Sequence, residues 1–372
     1  MIKVSPYLLI SNENGEMFIE NFLSKSKRRL DNNLLGMLKF CLSARTFDEA
    51  AEGFGKEYVE QCLNEKLLLF ADKMHLYTNI HMVDIETVTS CNYKCAFCPV
   101  AYDERAGRDN RIMDMDLFKQ ITDKAVRHPS VREVSLHFYG EPTLDTFFCD
   151  RINIISGTRL RLHISTNASY LDAERLEALA QNKGSIQSLN INLPSIEESE
   201  YERLTSSGCF SGVMQNIESA CLSGLPVKIL VNGTKKELVR NLDAVKDYFA
   251  KYQNTEVIVN NTHDCCGLLK NEYKQELYLD TLIGCEQFIG NLTIGVSGEI
   301  IMCSNDYYKK TVIGNIADGE IIDIINSDAY IRMSKKIMNI EPPDEDFLCH
   351  KCWNASAYRY LLNMFNRTIK SL

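Results

Sequence analysis

Cys91, Cys95 and Cys98 fall within one short run, Cys91-Asn92-Tyr93-Lys94-Cys95-Ala96-Phe97-Cys98-Pro99, and that run restricts the fold more than any other stretch. A Cys-x3-Cys-x2-Cys spacing can turn three thiolates toward one point, and soft thiolates suit a cubane iron–sulfur cluster. Three ligands on a four-iron cluster leave one iron open to a substrate or cofactor, a catalytic arrangement rather than that of a pure electron carrier. A zinc knuckle or a disulfide loop is the alternative use of such a run. Zinc motifs usually pair two Cys-x2-Cys units, and a cytosolic chain disfavours disulfides.

From residue 79 to 262 short strands alternate with helical stretches, which implies parallel strands joined by crossover helices. The strands are predicted at 80–86, 132–138, 160–165, 187–192, 227–231 and 256–260. The helices are predicted at 114–127, 172–182, 197–205, 212–223 and 235–250. Their phase is informative. Val134, Leu136 and Phe138 alternate with Ser135, His137 and Tyr139. Leu160, Leu162 and Ile164 alternate with Arg161, His163 and Ser165, and Leu189, Ile191 and Leu193 with Ser188, Asn190 and Asn192. A period of two gives each strand one apolar and one polar face. Helices must cover the apolar face, so the polar face looks inward with Asp84 and Glu86 of the first strand and Lys228 and Asn232 of the fifth. A purely structural barrel fills its interior with branched apolar side chains, and a polar lining points instead to a ligand chamber.

The rest of the composition removes several function classes. The 372 residues suffice for two or three domains. Fifty acids against 41 Lys and Arg give a net charge of −9, which disfavours nucleic acid or an anionic membrane as the main partner. No apolar run approaches spanning length, and residues 1–10 lack the apolar core of a signal peptide. Fourteen cysteines without an export signal suit a reducing cytoplasm. Cys41, Cys62, Cys149, Cys209 and Cys221 read as core or helix-face residues.

Residues 1–78 read as a small α+β module. Tyr7–Ile10 and Met17–Ile19 flank Asn14-Gly15, a two-residue hairpin signal. A helix with Leu34, Leu35, Leu38 and Leu42 on one face follows. A second helix opens at the capping box Thr46-Phe47-Asp48-Glu49, and a third carries Tyr58, Val59, Cys62 and Leu63. With a closing strand around Met74-His75-Leu76 the outline is winged-helix-like. Glu57, Glu60 and Glu65 would put three acids on a recognition helix, which argues against DNA. Lys25, Lys27, Arg28 and Arg29 form a basic run, read either as a solvated face or as a contact for an acidic peptide.

The cysteine run, with Phe97 before its last cysteine, resembles the signature of the radical S-adenosylmethionine (SAM) enzymes. The resemblance implies an α/β fold, a partial (β/α)6 barrel over residues 79–262, with the run just after the first strand. There Cys91, Cys95 and Cys98 would hold a [4Fe-4S] cluster that binds SAM, and Phe97 would lie near the adenine. Tyr139-Gly140-Glu141-Pro142 resembles the family's Gly-Gly-Glu segment, with Tyr139 in place of the first glycine, so Gly140 and Glu141 would hold the SAM amino group. Ser165-Thr166-Asn167 resembles the ribose and carboxylate contact, and Asn190 and Asn192 stand where relatives contact the methionine carboxylate.

Residues 263–372 carry Cys285, then Gly298-Glu299-Ile300-Ile301-Met302-Cys303, then Cys349-His350-Lys351-Cys352. Gly-x4-Cys reads as a tight hairpin that delivers a thiolate, and Cys-x2-Cys as a chelating pair. The four resemble the twitch form of the SPASM extension behind radical SAM barrels, which implies one auxiliary cluster of the [4Fe-4S] type; structural zinc is the alternative. Cys265-Cys266 follows the last barrel strand outside both motifs. It reads as a buried linker pair or, as in radical peptide epimerases, as a hydrogen donor.

The resemblance implies reductive cleavage of SAM to a 5′-deoxyadenosyl radical that abstracts hydrogen from a substrate carbon. Residues 1–78 resemble the leader-peptide recognition domains of peptide-modifying radical enzymes, which implies a precursor peptide that becomes cross-linked, thioether-bridged or epimerised. The alternatives are a dehydrogenase of a small alcohol or aminocyclitol and a non-enzymatic metal-stabilised binding protein. A cytoplasmic electron donor such as flavodoxin or ferredoxin is an expected partner; nucleic acid and membrane are not.

Overall fold

The computed structural model describes residues 1–5, 8–13, 16–21, 24, 26–71, 79–103, 110–261, 265–269, 272, 285–338 and 340–352. Its contacts divide the chain into two compact units, Met1–Asn79 with Glu276–Gly290 and Ile325–Leu372, and Ile80–Gln275 with Asn291–Ile324. Among the described residues no helix is long and apolar enough to cross a membrane.

The first unit starts with β1 (Ile2–Val4), β2 (Leu8–Glu13), β3 (Glu16–Asn21) and β4 (Ser26–Arg29). The antiparallel register Glu13↔Glu16 pairs β2 and β3 as the hairpin signal requires, although Asn14 and Gly15 lie outside the described residues. Helices α1 (Asn32–Phe40), α2 (Phe47–Phe54) and α3 (Lys56–Asn64) follow, then β5 (Leu68–Phe70). The Thr46–Glu49 capping box is formed in both directions, with Thr46 Oγ1 accepting from Glu49 N at 3.1 Å and Glu49 Oε2 accepting from Thr46 N at 2.7 Å. Leu34, Leu38, Val59 and Cys62 are fully buried in one core.

The sequence reading did not expect β5, which pairs antiparallel with β1; the closing strand expected around 74–76 lies outside the described residues. The basic run forms β4 on the hairpin's far side, so β2-β3-β4 is a three-stranded sheet. Its charges are largely engaged within the unit. Arg28 pairs with Glu65 at 3.3 Å and stacks on Tyr58, Arg29 pairs with Glu16 at 3.0 Å, and Lys27 lies over Phe18. Lys25 is outside the described residues.

In the second unit all six predicted strands form: β6 (Met82–Ile85), β7 (Glu133–Leu136), β8 (Arg161–Thr166), β9 (Ile186–Asn192), β10 (Val227–Gly233) and β11 (Thr255–Asn261). They pair in parallel in chain order. The crossover helices are α4 (Met115–Arg127), α5 (Phe148–Ser156), α6 (Ala173–Gln181), α7 (Glu198–Thr205), α8 (Phe210–Leu222) and α9 (Lys235–Phe249). Only α5 was not anticipated. Beyond β6 the sheet continues through β12 (Asn291–Ile294), parallel to β6, and the antiparallel β13 (Glu299–Ile301) and β14 (Val312–Asn315). Gly298, at φ +83°, supplies the turn between β12 and β13. Among the described residues α11 (Ile321–Ile325) follows β14, while α10 (Glu286–Gly290) and α12 (Asp328–Ile337) belong to the first unit.

The face assignment holds in the strands. Val83, Ile85, Val134, Leu136, Leu162, Ile164, Leu189 and Ile191 are fully buried on the helix-covered side. On the other face the register runs Thr293–Asp84–Ser135–His163–Ser188 across five strands. A second row joins Ser165, Asn190, Lys228 and Glu256. The alternation stops at Leu136, where β7 ends. Phe138 is therefore not on the helix side as its parity suggested, but shares a cavity wall with His137.

Candidate active site

Cys91, Cys95 and Cys98 lie on the loop that leaves the carboxyl end of β6, where parallel α/β folds place their chemistry. The loop is held by the last turn of α7, whose unpaired carbonyls need donors. Ala96 N donates to Leu204 O at 2.8 Å and Lys94 N to Thr205 O at 3.3 Å. Burial, then the neighbouring Cys98 and Cys91, push the Cys95 thiol well above the usual range, so the three sulfurs bear on one another. A group of soft thiols that repel one another when ionised is a donor set suited to a cationic iron centre. Among the described residues no three His, Cys, Asp or Glu side chains gather as ligands of a single metal ion.

The next segment shows why a glycine stands at 140. A Cβ there would lie 1.9 Å from the carbonyl oxygen of Val88, because the chain leaving β7 presses against the chain leaving β6. Glu141 N donates to Ser90 O at 2.8 Å across the same approach. The Glu141 carboxylate is buried and engaged by four donors. Oε1 accepts from Thr143 N at 3.1 Å, Thr143 Oγ1 at 2.6 Å and Thr166 Oγ1 at 2.5 Å, and Oε2 accepts from Asn167 N at 2.7 Å. Burial raises its pKa more than these bonds lower it. Glu141 thus locks the loops after β7 and β8 together.

Asn167 extends the lock to the cysteine loop. Its Nδ2 donates to Asn92 Oδ1 at 2.9 Å and its Oδ1 accepts from Ser169 Oγ at 2.6 Å, while Asn92 Nδ2 donates to Ser169 Oγ at 2.9 Å. Asn92 and Ser169 carried no sequence signal, since their contact joins two loops 77 positions apart. Asn190 Nδ2 reaches Ser165 Oγ at 3.5 Å, and Asn192 Oδ1 accepts from Asn232 Nδ2 at 2.5 Å. Tyr93 was also missed. Its hydroxyl lies 3.1 Å from the Cys209 sulfur and accepts from Tyr201 Oη at 3.1 Å. Cys209 is exposed rather than in the core, because it caps α8 at the loop's edge.

Cys265 is buried with Leu269 against Ala96, Phe97 and Tyr102 of the cysteine loop. It hydrogen-bonds the hydroxyl of Tyr139, whose pKa burial raises first and the Cys265 and Cys98 thiols raise further. Cys265, Cys266 and Gly267 all have positive φ, 46°, 60° and 87°, a conformation side chains other than glycine rarely adopt. Tyr139 also meets Tyr307 edge-on at 4.7 Å, and Tyr307 Oη donates to Asp103 at 2.7 Å.

The other cysteines sit on short, braced turns. Cys303 follows β13 in a turn organised by Asp306, whose carboxylate accepts from Lys310 N at 3.0 Å and Thr311 N at 2.6 Å. Lys309 in this turn pairs with Glu86 and, at 2.8 Å, with Glu299. Cys285 precedes α10; Cys349 is buried on the single turn Leu348–Lys351 and Cys352 just past it, with Cys352 N donating to Cys349 O at 3.2 Å.

A model of the radical SAM superfamily matches residues 85–249, and one of an iron–sulfur cluster-binding domain, SPASM, matches residues 285–353. The S-adenosyl-L-methionine-dependent 2-deoxy-scyllo-inosamine dehydrogenase of Niallia circulans is 23% identical over 292 residues, spanning 76% of this chain and 98% of that protein. Among solved structures, SuiB of Streptococcus suis matches with a TM-score of 0.53 at 16% identity, over 94% of this chain and 93% of its own. The anSMEcpe protein with bound AdoMet matches with 0.52 at 16% identity, over 78% and 98%. These two likenesses extend the shared fold. The domains imply iron–sulfur clusters and SAM as cofactors, and the alternative of a non-enzymatic binding protein falls away. The chain is a radical SAM enzyme whose parallel-sheet domain is followed by an iron–sulfur cluster-binding SPASM domain.

Proposed function

We propose that this enzyme modifies a ribosomally made peptide, with residues 1–78 as the peptide-recognition module, 79–262 as the barrel and 263–372 as the auxiliary cluster domain. Cys91, Cys95 and Cys98 are the proposed ligands of the SAM-binding [4Fe-4S] cluster. Cys285, Cys303, Cys349 and Cys352 are those of one auxiliary cluster. With its cluster and SAM bound, a radical SAM site supplies a 5′-deoxyadenosyl radical that removes hydrogen from a substrate carbon.

The chain's own part is positional. Gly140 lets two backbone segments meet, and carbonyls at that approach are acceptors for an ammonium group. Glu141 adds negative charge beside them while fixing Asn167. Ser165, Asn190 and Asn192 offer hydroxyl and amide groups to ribose and carboxylate, and Phe97 offers an aromatic face to adenine. Cys265, held by Tyr139, is the proposed hydrogen donor, with Cys266 its neighbour. A flavodoxin- or ferredoxin-type protein would supply electrons.

The observation that carries the peptide reading is the three-stranded antiparallel sheet β2-β3-β4 of the first unit, a platform of the kind that takes up an extended peptide as an added strand. The anSMEcpe fold has been solved with a Cp18Cys peptide bound. A second reading, oxidation of a small alcohol or aminocyclitol, is supported by the match to nearly the full length of the inosamine dehydrogenase. The test is anaerobic turnover of the reconstituted full chain with SAM and a reductant, offered either deuterated candidate peptides or deuterated 2-deoxy-scyllo-inosamine. Deuterium in 5′-deoxyadenosine from a peptide is the expected result. Deuterium from the aminocyclitol alone would replace the first reading with the second.

A further inference from the structure

The polar face of the sheet holds one imidazole backed by a buried carboxylate and open on its other side. His137 follows β7 directly, one residue past Leu136, the last residue paired with both β6 and β8. Its Nδ1 lies 3.7 Å from Asp84 Oδ1 and 3.4 Å from Ser135 Oγ. Asp84 is only 2% exposed, and its other oxygen accepts from Asn291 Nδ2 at 3.0 Å, so the carboxylate is held from behind by β12. A carboxylate in that place favours the tautomer with the proton on Nδ1 and leaves Nε2 free to exchange a proton.

Exposure separates the two partners. The His137 side chain keeps 34% of its surface accessible. It lines a tight crevice with Glu86, Val88, Phe138 and Gly140, on the wall where Gly140 meets Val88. Other ionisable groups around it are committed elsewhere. Glu86 is paired with Lys309. His163 on β8 is bonded to Ser188 at 2.8 Å and lies 3.4 Å from Glu133. Tyr139, two residues on, is bonded to Cys265. Burial lowers the proton affinity of His137, but the nearby Asp84 carboxylate outweighs it and leaves the pKa above the ordinary histidine value. For His163 burial prevails and the pKa falls.

We propose that His137 is the proton acceptor of this chamber and Asp84 its positioning residue, serving a substrate that carries a hydroxyl, amine or amide N–H beside the carbon from which hydrogen is removed. The inference rests on the radical reading above. Once that C–H bond has been broken, forming a new π bond or cross-link from the carbon radical requires loss of one electron and one proton. The electron passes to an acceptor of the iron–sulfur class, and the proton passes from the substrate heteroatom to His137 Nε2 as the O–H or N–H bond breaks. Oxidation to a ketone needs this step, and so does a peptide cross-link closed through the heteroatom; epimerisation by hydrogen donation from Cys265 does not.

The first test needs no substrate. The intact full chain is treated with diethyl pyrocarbonate over a pH series, and carbethoxylation of His137 is followed by peptide mass spectrometry. His137 is expected to react, with a midpoint above that of a free histidine, and Asp84→Asn is expected to move the midpoint down. An unreactive His137, or a midpoint indifferent to Asp84→Asn, overturns the proposal. The second test uses whichever probe the wild type turns over, and reads product formed per 5′-deoxyadenosine released. His137→Gln should lower this ratio by about a hundredfold, the usual scale of acid–base catalysis. In Asp84→Asn the acid limb of the product profile should shift to lower pH. A variant that is merely misfolded would lose both products together, and an unchanged ratio rejects the role. If the wild type releases no 5′-deoxyadenosine, the radical reading fails instead, while the titration still decides the state of His137.

Discussion

Gly140 and Glu141 show how closely single residues set this site. Replacing Gly140 by alanine puts a methyl group 1.9 Å from the Val88 carbonyl oxygen, and both sides of that approach are backbone. Relief must come from parting the loops after β6 and β7, at a cost on the order of 1–3 kcal/mol. Gly140→Ala is expected to lower the unfolding midpoint and weaken SAM binding at least tenfold, measured by calorimetry on the reconstituted protein. Wild-type SAM affinity in that variant would show that the approach is not needed for binding. At this scale the sequence was most readable where spacing itself carries chemistry, as in Cys91, Cys95 and Cys98 or Gly140-Glu141. It was silent on Asn92, Ser169 and Tyr93, whose roles come from loops that meet only in the folded chain. Glu141 was read as a ligand contact, yet its carboxylate is largely occupied in holding Thr143, Thr166 and Asn167.

Among the elements, strand parity was legible because a period of two survives without knowledge of partners. Helix α5 was missed for a physical reason. Its N-cap is Phe147, with no side-chain cap bond, and its Ile152, Ile154 and Ile155 suit a strand as well as a helix. What fixes it is a fully buried pair, Arg151 Nε to Asp145 Oδ2 at 2.6 Å, with the guanidinium over Phe118 and bonded to Met113 O. Asp145→Asn leaves that cation without its counter-charge and should cost about 3–5 kcal/mol, read by denaturant unfolding of the holoprotein. A loss under 1 kcal/mol would mean that α5 is held by its apolar face alone. β4 escaped notice because Ser26-Lys27-Arg28-Arg29 has no apolar period; its strand state comes from pairing with β3. The parallel seat of β12 beside β6 is a contact between distant segments that no local pattern encodes.

On the scale of the whole molecule, the first unit joins both ends of the chain. Lys3 of β1 is fully buried and its ammonium donates to the carbonyl of Met338, just past α12. Burial lowers the Lys3 pKa to about 8. Below that value the folded unit carries a buried charge. Between pH 8 and the unfolded value the unfolded chain keeps a proton that the folded one has released, so this group's contribution to stability rises with pH, by up to about 3 kcal/mol. Cys41 and Cys62, whose thiols burial pushes up to about 12 and about 11, act in the opposite sense as pH rises, so the comparison must be with Lys3→Met. Urea unfolding at pH 7.5 and 10.5 should show the wild type gaining on the variant at the higher pH. Equal shifts in both proteins would exclude the lysine.

The Lys3–Met338 bond also has a bearing on how the protein is made. Its partners are 335 positions apart, so at about 5–20 residues per second the ribosome takes roughly 20–70 s to deliver the second after the first. The segment synthesised first must wait that long for the Met338 carbonyl. A domain exchange that grafts only the N-terminal 79 residues onto another enzyme would leave behind the Met338 carbonyl that Lys3 meets, and a working graft has to bring the α12 segment with it.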